Sequence, residues 1–217
     1  MKYSKNVLWK LILCIVLIEI ILFASYFLTK NMPWLLMLIG LIMLMVFVLI
    51  RNVGNDFIQG LEGENDIGDE LKKLPSDFKV FNEGLDTERG NIDKIVIGPT
   101  GVFAIEVKSH KAKVTFNGKE LLNYFKPFEK DFLKQAYAEA MKLKESIKTK
   151  TGIDVFVQPI LVFSSRYAKM RLGFNQIKGV YVIQKRWLNK LITQPNNSPL
   201  SLELRQKIAQ VFTNPAV

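Results

Sequence analysis

Asn91 to Lys108, NIDKIVIGPTGVFAIEVK, is the stretch whose reading decides the fold. Two β-rich runs, Asn91 to Ile97 and Val102 to Lys108, flank Gly98-Pro99-Thr100-Gly101, in which Pro suits the second position of a type I turn and Gly the fourth. The pattern predicts a β-hairpin. Centring the loop on Pro99-Thr100 sets Ile97 opposite Val102 and Asp93 opposite Glu106. Opposed β-carbons lie roughly 4.5–5.5 Å apart, where like charges are destabilising unless something offsets them. A divalent cation would do so. Strand alternation puts Lys108 on the same face as Glu106, about 6–7 Å further on, and turns Phe103, Ile105 and Val107 the other way into a core.

An Asp, a Glu and a Lys converging on one small volume suit metal-assisted hydrolysis of a phosphodiester. Hard oxygen ligands hold Mg²⁺ or Mn²⁺, and the ion polarises the phosphate and acidifies a bound water. Lys108 is then placed to hold that water or to neutralise charge developing on phosphorus, and the Val107 carbonyl is a further candidate ligand. The same D-x12-E-x-K spacing is equally satisfied by an ordinary solvated hairpin face, since short charged patterns are common.

The wording around the pattern adds information. GNIDKIVIGPTGVFAIEVKSH, with Gly63-Glu64 about thirty positions upstream, resembles the nuclease-related domain (NERD), a branch of the PD-(D/E)XK nuclease superfamily. The resemblance runs from about Leu61 to Phe163. It implies an α/β fold with a restriction-endonuclease-like core, a mixed sheet flanked by helices, with Asp93, Glu106 and Lys108 as the signature triad. It further implies Glu64 as the acidic residue of the first helix and Gln135 as the polar residue of the following helix. The sequence departs from the pattern at His110, where many relatives carry an aromatic residue, and at Gln135-Ala-Tyr-Ala-Glu139, which lacks the Gln-x-x-x-Tyr of part of the superfamily.

Composition bounds the rest of the chain. Val7 to Leu28 and Pro33 to Ile50 are almost purely apolar, and at 1.5 Å per residue they reach roughly 33 and 27 Å, against a bilayer core of about 30 Å. The expectation is two transmembrane helices within residues 1–50, a linker at 51–60 and a nuclease-like domain at 61–217. Lys2, Lys5 and Lys10 precede the first run and only Lys30 lies between the two. The positive-inside rule then gives a multi-pass protein of the cell membrane with both termini cytoplasmic. Lipid contact, and homo-oligomers through the spans with Glu19 as an interhelical contact, follow from the same reading. The single cysteine, Cys14, falls inside the first run, which excludes a disulfide within the chain and a Cys-based zinc site.

Within the nuclease-like part, Leu61, Ile67, Leu71 and Leu74 have helical spacing, with Pro75 ending the run. Lys79 to Phe81 reads as a strand. A second hairpin is expected at Lys113 to Phe116 with Asn117-Gly118 as a type I′ turn. A helix is expected from about Phe128 to Lys150, striped by Phe132, Ala136, Ala140, Leu143 and Ile147. Val155 to Phe163 and Val180 to Ile183 read as strands, and a last helix opens at Ser198-Pro199 with Ser as its cap.

Residues 51–107 carry 6 basic and 12 acidic side chains, whereas residues 108–217 carry 20 and 7. A cationic half beside an acidic cluster attracts a polyanion and positions its phosphates without reading bases. Lys111, Lys113, Lys119, Arg166, Lys169 and Arg171 are the candidate contacts. Solvated helix faces or anionic lipid account for such charge equally well. The sequence therefore points to a membrane-anchored, metal-dependent nuclease acting on nucleic acid, DNA ahead of RNA, without sequence specificity. The alternative is a catalytically inactive binding, scaffold or sensor module with the same fold.

Overall fold

The computed structural model describes residues 16–21, 23–24, 33–82, 92–170, 172–195 and 199–213. The chain divides into two units, Met1–Ile58 and Gln59–Val217. In the first, residues 16–21 and 23–24 are helical, and Glu19 is exposed there. Helix α1 spans Pro33–Leu71, so residues 51–60 are helical.

Among the described residues no helix is long and apolar enough to cross a membrane. This overturns the transmembrane hairpin and, with it, the cell-membrane location with both termini cytoplasmic. The physical reason is reach. The apolar part of α1, Pro33 to Ile50, covers about 27 Å at the helical rise, short of the roughly 30 Å of a bilayer core, before the helix runs on into Arg51. Most of the first run, the lysines at 2, 5, 10 and 30 and the 29–32 connection lie outside the described residues.

The second unit is built on a six-stranded mixed sheet in the order β1-β2-β3-β7-β10-β9. Its centre is the predicted hairpin: β2, Lys94–Gly98, and β3, Gly101–Lys108, pair antiparallel with Ile97 opposite Val102, the expected register. Thr100 Oγ1 donates to the Ile192 carbonyl at 2.6 Å, and the Pro99 carbonyl accepts from Leu200 N at 2.8 Å, so the turn is tied to two later segments. β1, Lys79–Asn82, adds to β2 antiparallel. On the other side β3 pairs parallel with β7, Val157–Phe163, and β7 parallel with β10, Val180–Gln184. β9, Gln176–Ile177, closes that edge antiparallel.

Both faces of the hairpin are covered. Phe103, Ile105 and Val107 enter a core with Ile67 and Leu71 of α1, and with Ile160, Val162 and Ile183. Val102 and Ala104 on the opposite face pack on Ala140, Leu143 and Ile147 of helix α2, Phe132–Thr151. A short helix α3, Leu188–Ile192, and a terminal helix α4, Leu202–Thr213, complete the layers. A small sheet, β6-β5-β4-β8, lies apart in the strand pairing: β4 is Lys113–Phe116, β5 Leu121–Asn123, β6 Lys126–Pro127 and β8 Lys169–Met170.

Three local expectations shift. The β4–β5 loop holds four residues, since Phe116 pairs with Leu121, and Asn117 Oδ1 accepts from Lys119 N and Glu120 N; the side chain closes the turn in place of a two-residue type I′ geometry. Helix α2 starts at Phe132 rather than Phe128, because Pro127 is in a strand and Asp131 supplies the cap, its carboxylate accepting from Lys134 N at 3.0 Å. Helix α4 is capped by Ser201, whose Oγ accepts from Leu204 N; Ser198 lies outside the described residues.

Gly98 explains one tight contact. A β-carbon there would collide with the Phe78 ring, which packs against the α1-side core. Gly98→Ala is therefore expected to lower the unfolding free energy by roughly 1–3 kcal/mol in urea titrations. Stability within error of wild type would refute that packing.

Candidate active site

Glu106 stands on the central strand, surrounded on all sides, and is only 3 % exposed. A charge so placed must be paired or matched by donors. Lys108 Nζ, two residues along the same strand, makes an ion pair with Glu106 Oε1. Gln135 Nε2, projecting from α2, donates to the same oxygen at 2.7 Å and to Glu139 Oε1 at 3.0 Å. Glu106 Oε2 is buried and has no hydrogen-bond partner.

Asp93 comes just before β2, whose pairing with β3 begins at Lys94 opposite Ile105. Its Oδ2 accepts from Val107 N at 2.7 Å. Burial pushes the Asp93 carboxyl up to about 7, and the neighbouring Glu106 charge adds to the rise. The Val107 amide opposes it, while Glu64 pushes the same way as burial. Glu106 is also raised, by burial first and then by the Glu139 charge, against the pull of Lys108. Glu64 is thus near enough to Asp93 to be felt, from a half-buried position on α1. Gly63 brings the helix there: a β-carbon at this residue would lie 2.6 Å from Ser164 Oγ and 2.9 Å from Ser109 Cβ, just past the ends of β7 and β3.

These contacts tie Lys108 and Gln135 to Glu106, and Asp93 to the Val107 amide, with the Glu106 and Glu64 charges both felt at Asp93. Among the described residues no group of three or more His, Cys, Asp or Glu side chains is arranged to hold a metal ion. The donor set nevertheless fits a hard cation, because the Glu106 charge is felt at Asp93 and one buried oxygen of Glu106 lacks a partner among the described residues.

Residues 59–164 match the nuclease-related domain, NERD. The match covers just under half of the chain and spans every residue of this cluster. No curated protein and no solved structure matches the chain. The NERD domain suggests a nuclease-related function and binding of nucleic acid, and the mixed sheet flanked by helices fits a nuclease-like core.

The basic candidates separate into groups. Lys111 and Arg166 share a cavity of ≈ 350 Å³ with Gly63, Ser109 and Ser164. Both lie over the Tyr167 ring, at 5.6 and 4.8 Å from its centroid. Lys113 and Lys169 are partners in the β4–β8 ladder and are exposed. Lys119 is exposed in the β4–β5 turn. Arg171 lies outside the described residues.

Glu139 is the residue that sequence reasoning missed. It is 8 % exposed and shares Gln135 with Glu106. Its signal was available: it follows Gln135 by one helical turn, and Phe132, Ala136, Ala140 and Leu143 mark the inward face beside it. His110 keeps aromatic company despite its departure from the family pattern, with Phe132 at 5.4 Å and Phe128 at 5.9 Å between ring centroids. Lys108 Nζ lies 4.8 Å from the Phe132 centroid, a second restraint on its position.

The raised carboxylates set a pH dependence. Their folded pKa lies above the unfolded value, so the folded state holds protons that the unfolded chain has lost, and stability falls as pH rises from the ordinary carboxylate range to about 7. Asp93→Asn removes part of that repulsion. In chelator it should be more stable than wild type by roughly 1–3 kcal/mol at pH 8 and by much less at pH 4. Thermal melts across that range check the difference; parallel pH profiles for the two proteins would contradict it.

Proposed function

We propose that the chain hydrolyses phosphodiester bonds of nucleic acid with Mg²⁺ or Mn²⁺ held by Asp93, Glu106 and the Val107 carbonyl. The observation that carries this reading is the buried, unpartnered Glu106 Oε2 facing a second acid. The Val107 N–H reaches Asp93, and in an extended strand the N–H and C=O of one residue leave on the same edge, so the carbonyl is aimed toward that acid too. A bound ion would supply a Lewis acid for the phosphate and a water of lowered pKa. Lys108 orients the attacking water and offsets charge building on the phosphoryl oxygens. Gln135 fixes the Glu106 carboxylate so that Oε2 stays directed at the ion site, and Glu64 holds a water or a second ion. Arg166 and Lys111 take neighbouring phosphates, with Lys113, Lys119, Lys169 and Arg171 extending the attraction of a polyanion. These are contacts to backbone rather than bases, which favours cleavage without sequence specificity. DNA is the preferred substrate in this reading.

The test is cleavage of end-labelled DNA and RNA by the full chain with Mg²⁺ or Mn²⁺. Glu106→Gln and Lys108→Ala are each expected to lower the rate by about 100-fold or more, and chelator to abolish it. Cleavage unaffected by both substitutions would reject the site. Binding without cleavage under every metal condition would assign the chain to the inactive binding module instead.

A further inference from the structure

Beside the acidic centre lies a cleft of ≈ 780 Å³ lined by Lys108 together with Tyr124, Phe125, Lys126 and Lys130. Because Lys108 is ion-paired to Glu106, the cleft adjoins the centre itself. Tyr124 and Phe125 form the two-residue loop between β5 and β6, as Asn123 pairs with Lys126. Both side chains face solvent, Phe125 being 86 % and Tyr124 59 % exposed. Tyr124 has φ +58°, in the left-handed region that bulky residues seldom occupy and that Gly or Asn enters at lower cost. The aromatic pair therefore neither suits the turn nor fills a core.

Its neighbours indicate what the pair is suited to meet. Three lysines line the same cleft against one carboxylate, Glu129. A cationic groove with protruding aromatic rings is the combination that binds single strands: the cations follow the phosphates and the rings stack on bases. A duplex offers its base faces to neighbouring pairs and leaves none for Phe125. Only an unpaired base repays the exposure of these rings.

We propose that the Tyr124–Phe125 turn is a stacking platform for an unpaired base of a single-stranded nucleic acid, whose backbone runs along Lys126 and Lys130 toward Lys108. This deepens the nuclease reading by naming its substrate class and rests on that reading for the strand's destination. The stacking itself is measurable without turnover.

Fluorescence anisotropy of the full chain in chelator, with a labelled oligothymidine and with a blunt duplex of equal length, tests the proposal. Phe125→Ala should weaken single-strand affinity by about 5- to 100-fold and change duplex affinity by less than about twofold, while Phe125→Trp retains binding. An oligonucleotide carrying 2-aminopurine should lose fluorescence on binding wild type and stay bright with Phe125→Ala. Tyr124→Gly, which relieves the backbone, should melt no lower than wild type yet bind single strands more weakly. Equal single-strand affinity in wild type and Phe125→Ala, or an equal loss for single strand and duplex, would overturn the platform. The two readings fail separately. Cleavage that needs Glu106 but ignores Phe125 would remove the platform and keep the nuclease, and Phe125-dependent binding by a wild type that never cleaves would do the reverse.

Discussion

A carboxylate on the innermost strand of a sheet is costly to ionise, and the surroundings of Glu106 are arranged around that cost. Lys108 and Gln135 both meet Oε1, one along the strand and one from the covering helix. Oε2 is left without a partner although it is buried. A fold selected for stability alone would replace such a group with an apolar residue, as its neighbours Val102 and Ala104 on the same face illustrate. The unmatched oxygen, close to an Asp that is itself pushed up to about 7, is the observation on which the proposed cation site rests.

Packing and chemistry meet at the same few positions. α2 covers one face of the hairpin with Ala140, Leu143 and Ile147, and the N-terminal half of the same helix presents Gln135 and Glu139 to Glu106. α1 buries Ile67 and Leu71 against the other face, while Gly63, one turn before Ile67, lets it approach Ser109 and Ser164. Asp66 pairs with Lys185 at 2.9 Å and Asn189 donates to the Glu70 carbonyl at 2.7 Å, which fixes that approach from the β10 side. Glu64 is therefore carried toward Asp93 by helix packing together with these two ties to the segment after β10.

Much of this was legible in the sequence because it is local. A turn dipeptide and a period-two alternation set the register of β2 and β3, with Ile97 opposite Val102, and Asp93, one residue before that ladder, is close enough to feel the Glu106 charge. The stripe from Phe132 to Ile147 is buried as its spacing implied. What the sequence hid was long-range. The local pattern put Glu139 one turn after Gln135 beside the inward face, but its sharing of Gln135 with Glu106 depends on how α2 crosses β3. Turn details also escaped, because Asn117 closes a four-residue loop through its side chain and Pro127 ends up in a strand. The apolar N-terminal runs read as two spans by hydropathy, whereas among the described residues no helix is long and apolar enough to cross a membrane.

The central claim is that the orphaned oxygen of Glu106 and the facing Asp93 share a cation. Anomalous diffraction from crystals grown with Mn²⁺ measures this directly. The account predicts one strong peak about 2.0–2.3 Å from Glu106 Oε2 and from an Asp93 oxygen, lost in Glu106→Gln crystals. A Mn²⁺ peak elsewhere, or none at saturating Mn²⁺ with Glu106 Oε2 still unpartnered, would contradict it.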